Sequence, residues 1–368
     1  MVSHYSQFRA SLAIAKASLL SMVRSPTSVV FSILFPIIFI VVFGTMVDTT
    51  QVIIKVGLDP KCDTNSLLYK GLLQVKMLKL IPYQSESQLI KDLEKGRLTA
   101  ILDIRADSKI LFVPHYQVKL LTTGASSTKA PLLETIINDL ISRMDKKLFA
   151  KNNSIAHFTS EKMAGRIYRS IDFILPGQLG FSLLMAGVFG SAFLFFNLRQ
   201  SLVLKRVFAS PIKRSYLILG EMLSRLFFQV IGFMIMVSLG YFFFNFTLVN
   251  GFLTFAEMLL FSLFGLIVFM GIGFIISGFL QNESSIAPVA NTITLPQILL
   301  CGLFFPVENY PSWLQAFCKL LPLTFFVDGL RNIAFEGLHI WQIPIQLAGM
   351  VCWTIIISFI TVKVFRWE

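Results

Sequence analysis

The chain has 368 residues, 55% of them hydrophobic, including 37 Phe, with 14% charged residues and a formal net charge of +12. Such a balance excludes an ordinary soluble globule, which must cover itself with polar side chains. A bilayer protein needs no such cover, and its mark is charge-free runs of about 20 residues.

In the first 25 residues Phe8, Leu12, Leu19 and Val23 recur at helical spacing, Ser11, Lys16, Ser18 and Ser21 fill other positions, and Pro26 ends the pattern. The spacing predicts a cytoplasmic interfacial helix over 1–25. It would either lie among anionic headgroups of the inner leaflet or offer its polar face to a cytoplasmic partner. Residues 26–47 follow as transmembrane helix one. The apolar run is too long for a signal-peptide core and no A-x-A-like site follows it, so an uncleaved span is expected.

Residues 48–170 form a separate stretch with 19 Lys and Arg against 12 Asp and Glu. Alternation over 52–58 predicts a strand. Leu89, Ile90 and Leu93 give 87–95 one apolar helical face, 98–104 reads as a buried strand, and 110–113 as a short one. Over 131–151 the spacing of Leu132, Leu133, Ile136, Ile137, Leu140, Ile141 and Met144 predicts a long amphipathic helix. Helices alternating with strands point to a small α/β domain.

Residues 171–368 carry the remaining spans. Charge-free runs occur at 27–47, 173–196, 226–256, 258–282, 284–307 and 337–362. The expected fold class is thus an α-helical polytopic membrane protein of six transmembrane helices, with an inserted α/β extracytoplasmic domain. Arg9, Lys16 and Arg24 before span one, five Lys and Arg between spans two and three, and Lys363 and Arg366 after span six share one side. The positive-inside rule makes that side, and both termini, cytoplasmic.

The loop 197–215, NLRQSLVLKRVFASPIKRS, carries Arg199, Lys205, Arg206, Pro211, Lys213 and Arg214 without an acid. A basic helical stretch broken at Ser-Pro has the form of a docking element; the plainer reading is a positive-inside anchor. In the outer segment 306–336, the stretch 306–322 is too short and too Pro-punctuated to span, yet Tyr310, Trp313, Leu314 and Phe317 suit the headgroup boundary. Because irregular backbone at membrane depth survives only when buried in protein, the segment is expected to dip in and return as an outer plug packed on spans five and six. Its marked residues are Pro306, Pro311, Trp313, Pro322, Asp328 and Arg331.

Glu221 and Arg225, four apart, are expected to form an ion pair, as are Asp328 and Arg331, three apart. Glu257 is expected to face headgroups. The four His (His4, His115, His157, His339) are scattered, and Cys62, Cys301, Cys318 and Cys352 have no metal-ligand spacing, with a Cys301 to Cys318 bridge geometrically open. No G-x-x-x-x-G-K-[ST] occurs and no catalytic set is evident, so no catalytic residue, metal or bound cofactor is expected.

Three stretches resemble the membrane subunits of type-2 ATP-binding-cassette exporters. They are Ile171-Asp172-Phe173-Ile174-Leu175-Pro176-Gly177; Ser210-Pro211-Ile212 with Gly220; and the run Gly302, Phe304-Phe305-Pro306, Pro311, Trp313-Leu314, Leu321-Pro322-Leu323-Thr324, Asp328-Gly329-Leu330-Arg331 and Gly337. The passage from Glu94-Lys95-Gly96-Arg97 to Ile104 is similar to members with a large domain between spans one and two. Where the family's cytoplasmic loop often opens with Glu-Arg, Arg199-Gln200 stands here.

The resemblance implies a permease that homodimerises, or heterodimerises with a homologue, in the bilayer. A separate ABC ATPase subunit would bind ATP and Mg and push on the loop 197–215. A bacterial cytoplasmic (inner) membrane and a hydrophobic or amphipathic cargo such as a drug or lipid are the expectations; no nucleic-acid partner is expected. Two other classes stay open: an ion-coupled secondary carrier, and a membrane-anchored assembly or signalling protein acting through its outer domain.

Overall fold

The computed structural model describes residues 6–45, 54–75, 77–82, 85–94, 98–107, 115–123, 130–148, 156–163, 169–200, 212–304, 307 and 310–364. The chain divides into two compact units, one of Met1–Thr45 with Ser170–Glu368 and one of Met46–Arg169.

The second unit is built on a five-stranded mixed sheet of order β2-β1-β3-β4-β5, made of β1 (Ile54–Leu58), β2 (Leu78–Pro82), β3 (Ala100–Asp107), β4 (His115–Thr123) and β5 (Ala156–Met163). β1 runs parallel to β2 and β3, β3 antiparallel to β4, and β4 parallel to β5. Alternation sends Ile54, Val56, Leu58, Ala100, Leu102, Ile104, Val118 and Leu120 into one core with Leu68, Leu72, Leu133, Ile137 and Ile141.

Those last five come from two helices. The first covers Leu67–Leu73 and starts where the Ser66 hydroxyl accepts from the Tyr69 N–H; the second covers Ala130–Leu148. The helix Glu86–Glu94 covers part of the other face through Leu89 and Leu93 on Leu98 and Ile101. The strand expected at 110–113 lies outside the described residues, while β2, β4, β5 and Leu67–Leu73 were not foreseen. Burial beside Asp103, Asp59 and Asp63 pushes the Cys62 thiol above its ordinary value.

The first unit is helical. In chain order, counting the three helices just named as α4, α5 and α6, it contains α1 (Gln7–Arg24), α2 (Pro26–Val29), a π turn (Val30–Leu34), α3 (Phe35–Thr45), α7 (Ser170–Gln200), α8 (Arg214–Phe244) and α9 (Phe252–Phe279). Then come α10 (Ile286–Leu300), α11 (Ser312–Cys318), α12 (Pro322–Ala334) and α13 (Pro344–Val364).

Among the described residues, four helical stretches are long and apolar enough to cross a membrane: Ser170–Leu198, Tyr216–Phe244, Phe252–Phe279 and Pro344–Val364. The other two charge-free runs give shorter helices. The first is interrupted by its π turn, whose Ser32 carbonyl accepts from the Ser182 hydroxyl at 2.5 Å. The fifth, expected over 284–307, has only 15 helical residues, about 22 Å at helical rise, because Gly302 turns into the left-handed region at φ 77°. The sixth starts at Pro344 rather than 337, after a 3-10 turn at Ile340–Gln342.

α7 is the buried centre of this unit. It crosses α9 where Gly187 and Gly273 leave no room for a side chain: a Cβ on Gly187 would fall 2.7 Å from the Phe269 Cβ, and one on Gly273 2.5 Å from the Val188 carbonyl. Close backbone approach of this kind is how apolar helices associate where water supplies no drive. The faces of α8 and α13 that carry Phe227, Met234, Ile345, Ile355 and Phe359 are left exposed, as lipid-facing surfaces are. In α1 the serines do not form a free polar face. Ser11 and Ala15 are buried, the Ser11 carbonyl and Ile14 lie where a Gly220 Cβ would go, and Phe8, Leu12 and Val23 are exposed.

Candidate functional site

Of the basic loop 197–215, Lys205, Arg206 and Pro211 lie outside the described residues. Arg199 falls in the last turn of α7 and Arg214 is the first residue of α8. Lys213, exposed, is the N-cap of α8, and its N–H donates to Gln7 Oε1 at 3.0 Å. The loop's second end is thereby tied to the start of α1.

Deeper along the same helices, the Ser18 hydroxyl donates to Glu221 Oε2 at 2.6 Å. Arg225 Nη2 donates to the Gly190 carbonyl at 2.6 Å and Nη1 to the Ala186 carbonyl at 3.5 Å. The expected Glu221–Arg225 ion pair is not made. Both residues are buried on one face of α8, but that face is the junction of α1 and α7, and each finds a partner on a different neighbour. Gly190 is what admits the guanidinium: a Cβ there would collide with Arg225 Nη1. A polar chain continues at mid-helix, where Gln229 Nε2 donates to the Ser182 hydroxyl at 3.4 Å.

The second group lies at the opposite end of the helices. Pro306 is outside the described residues; Pro311 is the N-cap of α11, Trp313 is 74% exposed and Pro322 is the buried first residue of α12. The segment enters the bundle and returns. Trp353 Nε1 donates to the Leu320 carbonyl at 2.9 Å well inside α13, Phe326 packs on Gly265 in the middle of α9, and the Ala334 carbonyl meets the Val249 N–H at 3.4 Å beside the α8–α9 turn. Phe326 stacks on Phe261 with rings 5.5 Å apart at 6° and meets Phe269 edge-on at 6.0 Å. α12 packs mainly on α7, α9 and α13, that is on spans two, four and six, where spans five and six had been expected. The small residues Gly180 and Gly265 are the reason, since they make the grooves that Leu323, Phe326 and Val327 fill.

Asp328 and Arg331 do approach, at 3.6 Å, but the firmer bonds of Arg331 go to carbonyls: Nη2 reaches Gly302 at 2.7 Å and Phe173 at 3.2 Å. Glu257 does not face headgroups. It is 6% exposed and takes His339 Nδ1 at 2.9 Å, with the His339 ring stacked on Trp341. Asp172, fully inside at the head of α7, accepts from the Thr247 N–H at 2.8 Å and its hydroxyl at 3.1 Å, fixing the α8–α9 turn. Cys301 and Cys318 are free, so no bridge joins them. Among the described residues no group of His, Cys, Asp and Glu is placed to hold a metal ion.

Ser182, Asp172 and His339 were missed as structural partners. A lone polar residue in an apolar run is the only signal that sequence offers for them.

Comparison with known proteins accords with this architecture. ABC transporter G family member 20 of Dictyostelium discoideum is 20% identical over 374 residues, covering 96% of this chain and 50% of that protein. The Probable multidrug ABC transporter permease YbhS of Escherichia coli K12 is 31% identical over 87 residues, 23% of this chain and 22% of that protein. The chain thus spans about half the length, or less, of the curated relatives it matches. The family described as ABC-2 family transporter protein matches residues 26–363, and the chain belongs to it.

Proposed function

We propose that this chain is the membrane subunit of an ATP-driven exporter, that it works as a dimer, and that a separate ATPase moves it through the loop 197–215. The observation that carries this reading is the knot around the loop's flanks. Lys213 is tied to Gln7, Glu221 to Ser18, and Arg225 to Gly190, so a push on the loop would reach α1, α7 and α8 together. In this reading six helices cross the bilayer, with the π-turned first and the short fifth completing the four long ones. Both termini are cytoplasmic in an inner membrane, and the Met46–Arg169 unit lies outside.

Dimerisation is supported by α10. Pro288, Thr292, Leu295, Pro296 and Leu299 form an exposed stripe at helical spacing on a helix shorter than the roughly 30 Å hydrocarbon core. Pro296 has no N–H, so the Thr292 carbonyl loses its helical partner. Such a backbone is stable at membrane depth when another protein surface or a water-lined path covers it. A second copy, or a homologue, would supply both, with the cargo path between them. The relative named a probable multidrug permease makes an amphipathic, drug-like or lipid-like cargo the first to try. ATP and Mg would be held by the partner, leaving this chain without an enzymatic role.

Reversal of Lys205, Arg206, Lys213 and Arg214 to Glu is expected to abolish co-purification with the ATPase, while the chain stays folded in the membrane. An unaffected complex would sink the docking claim. A second reading, ion-coupled transport, is favoured by one observation, the buried Glu257 paired with a partly exposed His339. It calls for transport in ATPase-free proteoliposomes under an ion gradient alone, and the present proposal expects none.

A further inference from the structure

We propose that Arg331 is the pin that holds the outer segment shut: its guanidinium fastens α12 to the ends of α7 and α10, and cargo release requires it to let go. This rests on the reading of 306–336 as an outer closure. One side chain gathers three separate stretches of chain. Nη2 donates to the Gly302 carbonyl just past α10 and to the Phe173 carbonyl in the first turn of α7, and the guanidinium lies 3.7 Å from the Phe173 ring centroid.

The site is prepared by backbone. Gly302, at φ 77°, turns the chain just past α10, where its carbonyl accepts from Arg331, and the negative end of the α10 dipole favours a cation there. Asp328, nearly half-exposed at 3.6 Å, is the weaker contact. Both carbonyl bonds come from Nη2, while the flat guanidinium lies over the Phe173 ring, a stacking that a compact lysine ammonium does not reproduce. Around it the fit is close: a Cβ on Gly177 would lie 3.1 Å from the Leu303 carbonyl, so α7 and the turn after α10 move apart only if the pin releases.

Cys301, fully buried next to Gly302, reports that release. The full chain in lipid nanodiscs, without ATPase, is treated with a water-soluble maleimide and labelling of the Cys301 peptide is followed by mass spectrometry. Arg331→Gln is expected to label roughly tenfold faster than the native chain, the effect of losing charge-assisted bonds to carbonyls. Arg331→Lys should fall between the two. Asp328→Asn, which keeps both carbonyl bonds, should stay within about twofold of native.

Native-rate labelling of Arg331→Gln would overturn the proposal, as would Asp328→Asn labelling as fast as Arg331→Gln. If Arg331→Gln fails to fold, by thermal unfolding of the same sample, Arg331→Lys decides, and its labelling at the native rate overturns the pin. Since no ATPase is present, this outcome is independent of whether the loop 197–215 docks one.

Discussion

Arg225 enters the bundle where Gly190 leaves space, and its guanidinium rests on α7 carbonyls rather than on the carboxylate four residues before it. A buried cation held this way is unforgiving, because removing an acceptor or crowding the space leaves desolvated charge behind. Gly190→Leu is therefore expected to destabilise the chain by roughly 1–3 kcal/mol, seen as a lower unfolding temperature in detergent. Arg225→Met, which removes the charge along with its need for acceptors, should be milder; equal loss in both would contradict the account. Asp172→Ala should leave the Thr247 N–H unsatisfied, at roughly 1–3 kcal/mol, with faster hydrogen exchange in the α8–α9 turn as the check.

The residue scale is also where sequence reasoning is blindest. Spacing placed Glu221 and Arg225 on one face correctly, but partner choice depends on which helices meet that face. Glu257 read as a headgroup-facing acid because it begins a charge-free run. Its actual partner, His339, is distant in sequence and comes close only through the return of α12.

At the scale of elements, the long apolar helices were legible because about 20 charge-free residues have few other uses. Their ends were not. α8 starts at Arg214, well before its charge-free run, since Glu221 and Arg225 are accommodated inside protein; α10 stops early because Gly302 takes a positive φ. In the α/β unit, β3 and Ala130–Leu148 announced themselves by buried runs and an apolar stripe. β5, with Ala156 and Phe158 as its main inward residues, and the edge strand β2 carry too little pattern. Phe326, which joins α12 to α9, sets the value of the returning segment as a packed element. Phe326→Ala is expected to lower stability by roughly 3 kcal/mol or more, because Gly265 on the facing helix has no side chain to refill the space. A loss well under 1 kcal/mol would mean that α12 is loosely held.

For the whole molecule, the family and its transport class follow from a match that covers residues 26–363 and from apolar helices long enough to cross a membrane. The centre of the bundle is α7, with α9 and α12 packed against it through glycine-made grooves; α8 joins it through Leu175 on Gly240 and the Arg225 bond to Gly190, and α1 is attached to α8 through Ser18 and Glu221. In the proposed reading, the polar bonds of Ser18 with Glu221 and of Arg225 with Gly190 link the helices beside the loop to this packed body, and the exposed stripe of α10 would be covered by a second subunit.

The most direct test is uptake of a lipophilic fluorescent dye by inside-out vesicles carrying the chain together with its ATPase. The account expects uptake that requires ATP and Mg, persists when ion gradients are collapsed, and disappears when Lys205, Arg206, Lys213 and Arg214 are reversed to Glu. Uptake that continues without ATP under an ion gradient, or that is untouched by the reversal, would contradict it.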